Sequence, residues 1–175
     1  MENNTLQELL QRSLNGDHVA FTQIYCELKI PVFTVICRIV QSRTVAEDVM
    51  QNVFMKIYKQ PTKKEIRNPR AWIFKLARNE SIDALRKKHN TDCELTEICN
   101  DLRDNAYWQD DRIDLEKALC RLSAAQREVL VLHLNAGFGF QQIADITDSS
   151  LATVYRTYRK AINTLKNELN GGQQP

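Results

Sequence analysis

Glycine and proline are scarce in this 175-residue chain, at 5 and 4 residues. So few turn-formers exclude a collagen-like or low-complexity polypeptide and argue against an all-β fold rich in hairpins. No apolar run approaches the roughly 20 residues that span a bilayer, so no membrane insertion is expected. The opening Met1-Glu2-Asn3-Asn4 has neither a basic flank nor an apolar stretch, which argues against a signal peptide. Cysteine is limited to Cys26, Cys37, Cys93, Cys99 and Cys120, odd in number and irregularly spaced. That usage predicts free thiols in a reducing cytoplasm rather than a disulfide framework. Cys26 and Cys37 fall on apolar stripes and are expected to be buried. Catalytic signatures are missing too: there is no Gly-rich phosphate loop, no G-x-S-x-G and no H-E-x-x-H. His89, Cys93 and Cys99 come nearest to a metal set, without a C-x-x-C or a matching distal pair. The expectation is a chain that is not an enzyme and carries no metal and no cofactor.

What is present is a strong segregation of charge. The formal net charge is only +2. Residues 56–88 nevertheless hold 11 basic and 3 acidic side chains, residues 91–116 hold 2 and 9, and residues 150–169 hold 4 and 1. Two basic blocks separated by an acidic one predict two anion-binding surfaces and a spacer. Solvated helix faces are the plainer reading of the smaller block; the larger, with aromatics interleaved, favours nucleic acid.

Apolar periodicity reads as helix throughout the first half. Phe21, Ile24, Tyr25 and Leu28 recur at helical spacing after a start signal at Gly16-Asp17. Pro31 is expected to interrupt or kink that pattern before a second stripe, Val32, Val35, Ile36, Ile39 and Val40. Thr44-Val45-Ala46-Glu47 has the form of a capping box. The helix it would open turns Val49, Met50, Val53, Phe54 and Ile57 inward and leaves Asp48, Gln51 and Met55 on the opposite face. Lys59 to Arg67 reads as a loop around Pro61, and Asn68-Pro69 as an N-cap followed by proline at the first helical position. The next helix carries Trp72, Ile73, Leu76, Ala77, Ile82 and Leu85, and the shift of its apolar face predicts more than one packing neighbour. Residues 89–111 lack a period and read as a linker, with Tyr107 and Trp108 as docking points. Helical pattern resumes at Ile113, Leu115, Leu119 and Leu122; Ser123 is placed to cap the helix of Val129, Leu130, Leu132 and Leu134, and Ala136 to Gly139 breaks it.

The segment from Phe140 to Val154 has helix-turn-helix logic. Ala144 is small where the two helices must cross, Asp148 tolerates positive φ in the turn, Ser150 caps the second helix, and Val154 plugs the core. That second helix turns Val154, Tyr158, Ala161, Ile162, Leu165 and Leu169 inward. Arg156, Arg159, Lys160 and Asn163 face outward, with Tyr155 at the edge. Such a face can enter the major groove, where Arg forks onto guanine and other side chains hold phosphates. An ordinary helical hairpin with solvated basic residues has the same pattern.

Taken in order, these segments resemble the extracytoplasmic-function (ECF) sigma factors of bacterial RNA polymerase, in the sigma-70 family. The residues that carry the resemblance are Gly16-Asp17-His18-Val19-Ala20-Phe21, Ala46-Glu47-Asp48-Val49-Met50-Gln51-Asn52-Val53-Phe54, Ala71 through Asn79 with Asp83, Leu85 and Arg86, Leu122 through Leu130, and the helix-turn-helix. Together they span residues 16–89 and 113–169. The recognition helix departs from the family's pattern at Tyr155, Arg156 and Thr157, the turn at Asp148 and Ser149, and the first-domain motif at Asn52.

The resemblance implies an all-α fold of two small helical domains joined by an acidic linker. Residues 1–89 would form a region 2-like domain that binds core polymerase and opens the −10 element. Residues 90–112 would be the linker, near the polymerase active-site channel, and 113–175 a region 4-like helix-turn-helix domain that binds the polymerase flap and reads the −35 element. Asp48, Gln51, Asn52 and Met55 are then the expected polymerase contacts. Lys63, Lys64, Arg67, Asn68, Arg70, Lys75, Arg78, Asn79, Arg86 and Lys87, with Lys88, are expected to meet the −10 DNA, with Arg67 and Asn68 as base readers. An internal salt-bridge network is an equal expectation for Arg78, Asn79, Asp83 and Arg86, and a core position the stronger one for Trp72. Ser150, Ala152, Thr153, Tyr155, Arg156, Arg159 and Lys160 are expected at the −35 element. Core RNA polymerase, promoter DNA and an anti-sigma factor are the implied partners. A stand-alone helix-turn-helix regulator would use the second domain alone and bind duplex tightly by itself; an interaction module would use Asp48 and Gln51 and leave the basic blocks without a role.

Overall fold

The computed structural model describes residues 3–59, 66–89 and 118–171. Lys63, Lys64, the acidic stretch with Cys93, Cys99, Tyr107 and Trp108, and the stripe positions Ile113 and Leu115 lie outside them, as do the side chains of Lys88, His89 and Leu169. Every regular element among the described residues is an α-helix: α1 (Asn3–Leu14), α2 (His18–Val40), α3 (Arg43–Lys59), α4 (Pro69–His89), α5 (Ala124–Leu134), α6 (Phe140–Thr147) and α7 (Leu151–Gly171).

The first helix was not legible as such in the sequence; it buries Leu6, Leu9 and Leu10 against the rest of the bundle. A tight turn at Gly16 (φ +90°) follows, a conformation that costs a Cβ-bearing residue steric strain. Asp17 then N-caps α2, its Oδ1 accepting from the amides of Val19 (2.9 Å) and Ala20 (3.0 Å) while Oδ2 accepts from Arg12 Nη2 (2.7 Å). The Ala20 amide first, then the Arg12 guanidinium, holds this carboxyl below its ordinary value.

Helix α2 runs unbroken through Pro31, joining the two apolar stripes that the sequence reading separated. Proline removes the amide that would bond the carbonyl of Glu27, an exposed residue. By length and composition α2 could cross a bilayer, contrary to the expectation from its apolar runs. Instead Ala20, Ile24, Leu28, Val32, Val35, Ile36, Ile39 and Val40 are buried in the protein core, against α1, α3, α4 and α5. Cys37 lies on this inner face, but Cys26 is exposed, contrary to expectation, because it falls two residues from the 24-28-32 row.

Helix α3 starts one residue before the expected capping box. Ser42 takes the cap position, its Oγ within 3.5 Å of the Val45 amide, and Glu47 pairs with Arg43 (2.9 Å) rather than reaching back to Thr44. Asn68 caps α4 as expected: its Oδ1 accepts from the Ala71 amide at 3.1 Å, and Pro69 opens the helix. Further on, Ser123 and Gln126 form a reciprocal capping box at α5. The preceding helical turn at 118–120 is tied down by Arg127, whose guanidinium donates to the carbonyls of Leu119 (2.9 Å), Cys120 (3.3 Å) and Leu122 (2.8 Å).

One buried cluster runs across both helical units, while Ala118, Leu119, Leu122, Leu130, Ala161 and Leu165 form a second cluster within the helix-turn-helix unit. Ile73, Phe74 and Ala77 of α4 belong to one buried cluster with Val129, Leu132, Phe138, Ile143 and Ile146. The several neighbours predicted for α4 are α1, α2 and α3 together with α6 of the helix-turn-helix unit. At the seam, Phe74 and Phe138 meet edge to face with ring centroids 5.0 Å apart.

Candidate polymerase and promoter surfaces

On α3, Ala46, Val49, Val53 and Ile57 are buried, so the 3.6-residue period turns Asp48, Gln51, Asn52 and Met55 outward, and all four are exposed. Beside this ridge runs an open, largely apolar groove of about 600 Å³. Phe21, Tyr25, Met50, Gln51, Phe54, Met55 and Tyr58 line it, with Glu47 the one charged residue. Its aromatic walls are mutually braced: Tyr25 packs edge-on to Phe54 (4.8 Å) and Phe21 to Tyr58 (5.1 Å). A polar ridge beside a preformed apolar trough suits a partner helix. The exposed ridge is legible in the sequence; the trough is not, because its aromatics come from two helices that only the fold brings together.

The helix-turn-helix is formed by α6 and α7. Asp148 adopts the left-handed conformation (φ +52°) that the turn requires. Ser150 Oγ accepts from the Thr153 amide at 3.1 Å, and Val154 and Ala144 are buried where the helices cross. On the outer face of α7, Tyr155, Arg156, Arg159, Lys160 and Asn163 border a shallow depression of about 300 Å³. Ala152, Tyr155, Arg156, Arg159 and Lys160 are exposed, so five of the expected −35 residues share an accessible face. Ser150 is exposed as well but is engaged as the cap, and its hydroxyl lies 2.8 Å from that of Thr153. Tyr155 is braced from below by Phe140 (5.7 Å), itself packed on His133 and Tyr158.

The expected −10 residues are split. Arg67, Arg86, Lys87 and Asn79 are exposed. Asn68 commits its side-chain carbonyl oxygen to the α4 cap. Three cations instead turn toward the second unit. Arg70 donates to the carbonyl of Ala136 (2.9 Å) and stacks its guanidinium near Phe74 and Phe138. Lys75 donates to the carbonyl of Asp145 (3.1 Å) and pairs with Asp148. Arg78 pairs with Glu128 and donates to Asn79 Oδ1 (3.2 Å). The salt-bridge network expected around Arg78 is thus present, but its anion comes from α5, while Asp83 and Arg86 are only loosely paired at 3.8 Å. Trp72 is half-buried against the core.

No group of three or more His, Cys, Asp or Glu side chains among the described residues is placed to hold a metal ion.

Comparison with known proteins is consistent over most of the chain. Sigma-70 region 2 matches residues 25–91 and Sigma-70, region 4 matches residues 112–165. The ECF RNA polymerase sigma factor SigK of Mycobacterium sp. strain JLS is 22% identical over 93% of this chain and 89% of its own length. SigK of Mycobacterium tuberculosis strain H37Rv is 21% identical over 94% of each chain. Among solved structures, the sigma factor RpoE in complex with the anti-sigma factor NepR from Bartonella quintana superposes with a TM-score of 0.72 at 27% identity, over 86% of this chain and 96% of that one. CnrH in complex with the cytosolic domain of CnrY shares the fold at a TM-score of 0.73 and 20% identity, over 95% and 98%. Two family regions in the sigma-factor order, covering most of the sequence, and full-length relatives of the same kind identify this chain as a member of the sigma-70 family, an ECF-type sigma factor of RNA polymerase.

Proposed function

We propose that residues 1–89 bind core polymerase through the α3 ridge of Asp48, Gln51, Asn52 and Met55 and the aromatic trough beside it, and that the same unit engages the −10 element. In this reading residues 90–112 are the tether and residues 113–175 read the −35 element as duplex with Tyr155, Arg156, Arg159 and Lys160. The protein acts in the cytoplasm, catalyses no reaction itself, and answers to an anti-sigma partner; the neighbour RpoE was solved in complex with the anti-sigma factor NepR. The observation that carries the reading is the pairing, in one chain, of a built partner groove on α2 and α3 with an exposed basic face on a helix-turn-helix. A self-sufficient helix-turn-helix regulator leaves residues 25–91 without a role.

The discriminating experiment is footprinting with and without core polymerase. The sigma assignment predicts weak protection by the isolated chain and strong protection of both promoter elements once core enzyme is added. Tight duplex binding by the chain alone, unaltered by core enzyme, would support the regulator.

A further inference from the structure

The leading end of α7 is apolar at the point where a groove-entering helix meets base edges. Leu151 and Tyr155 are 47% and 52% exposed, and Ala152 is exposed beside them. At spacing i and i+4 the two large side chains share one edge of the outward face. Arg156 and Lys160 share the other edge, and Arg159 lies between the two, a turn further from the helix start. The hydroxyls of this first turn are engaged with each other. Ser150 Oγ accepts from the Thr153 amide (3.1 Å), and the Ser150 and Thr153 hydroxyls lie 2.8 Å apart. Resting on the −35 reading above, we propose that Leu151 and Tyr155 form a methyl-reading surface. They take the C5-methyl group of a thymine in the major groove and fix that base in the upstream element, while the cations behind them hold phosphate and guanine.

The chemistry of the base edges selects this occupant. Thymine alone offers the major groove an apolar group. Cytosine and adenine present amino groups and guanine presents acceptors; pressed against Leu151 and the Tyr155 ring, these lose water without gaining a partner. A methyl group gains by the same desolvation. Tyr155 is also held in place beforehand. Phe140 meets it edge-on with ring centroids 5.7 Å apart, and is itself packed on His133 (4.8 Å) and Tyr158 (5.0 Å). A ring fixed in advance gives up little side-chain freedom on binding. Charge marks the partner as nucleic acid rather than an apolar protein helix. Arg156, Arg159 and Lys160 border the same shallow depression as Tyr155, and no acidic residue occurs from Leu151 to Asn163.

Thymine and uracil differ by that one methyl group, so deoxyuridine is the probe. Holoenzyme made from core polymerase and the full-length chain first selects an upstream element from promoter duplexes randomised there. Each thymine of the selected element is then replaced singly by deoxyuridine. Binding is measured for wild type, Tyr155→Phe, Tyr155→Ala and Leu151→Ala/Tyr155→Ala, with melting curves to confirm that each variant folds. The selected element should contain a fixed thymine whose replacement weakens wild-type binding by about 3- to 5-fold, the worth of one buried methyl group. Tyr155→Phe should keep that loss, Tyr155→Ala should reduce it, and the double variant should bind thymine and uracil alike. An element with no fixed thymine, no uracil effect in wild type, or an undiminished effect in the folded double variant overturns the methyl-reading surface and leaves the −35 assignment standing. Loss of the effect in Tyr155→Phe would move the contact to the phenolic hydroxyl and overturn the surface as well. Failure of the holoenzyme to select any upstream element overturns both.

Discussion

The polymerase surface makes the sharpest single prediction. Asp48 and Gln51 lie exposed on α3, outside the buried row of Val49, Val53 and Ile57. Replacing both with alanine should leave folding intact, because exposed substitutions away from special features shift stability by about 0.5 kcal/mol or less. Alanine is moreover the better helix former at both positions. Binding should respond differently. Losing one hydrogen bond from a carboxylate and one from a neutral amide across a desolvated interface costs about 2–4 kcal/mol. At 1.4 kcal/mol per decade, that is a loss of about 30-fold to several hundred-fold in affinity. The assay is titration of labelled Asp48→Ala/Gln51→Ala against core RNA polymerase by fluorescence anisotropy, with thermal melts of the free protein run in parallel. An unchanged melt with weakened binding supports the ridge as a contact surface. Wild-type affinity in the double variant would refute the reasoning, and the groove formed by Phe21, Tyr25, Phe54 and Tyr58 would have to act without its polar edge.

Three further perturbations probe other parts of the molecule. Arg156→Ala or Arg159→Ala should cost about 1–3 kcal/mol in binding to the upstream element if the arginine forks onto a base; holoenzyme footprints identical to wild type there would remove the residue from the interface. Arg127→Met should destabilise the protein by about 2–4 kcal/mol in urea unfolding, because three carbonyls lose their donor; a change within about 0.5 kcal/mol would mean water replaces the guanidinium at no cost. Asp17 carries a depressed folded-state pKa, so its stabilising contribution is fully present above its ordinary 3.8 and is lost as pH falls through the folded value. The stability difference between wild type and Asp17→Asn should be flat near neutrality and shrink below pH 3.8; a difference that stays constant down through that range would contradict the assignment.

Local chemistry was the legible part of this sequence. Asn68-Pro69, Ser123 and Ser150 announce helix starts, because each start needs an acceptor for orphan amides and few residue types supply one. Asp148 announced the helix-turn-helix turn for a similar reason: few side chains accept positive φ. The failures share a different origin. Thr44 looked like a cap because Glu47 stands three residues on, but Ser42 competes for the same role and Arg43 claims Glu47. Pro31 looked like a break, yet the packing of α2 against its neighbours holds the helix on both sides of it. Cys26 was placed inside by its apolar surroundings when the helical row passes two residues away.

The basic block of residues 56–88 is legible in the sequence, but the pairing of its members is not. Arg78 and Glu128 are 50 residues apart in the chain, and Lys75 and Asp148 are 73 apart. Periodicity carries no information at such separations, so the seam between the units was invisible until α4 was seen against α6. Arg70, Lys75 and Arg78, expected from the sequence as phosphate contacts, are engaged at this seam.

The central claim is that this chain supplies promoter choice to a polymerase it does not itself contain. Transcription by purified core polymerase from a library of genomic fragments, with the full-length chain as the only added factor, tests it most directly. The account predicts RNA 5′ ends at a small set of sites that share an upstream and a downstream element. RNA synthesis no different from core polymerase alone would contradict it.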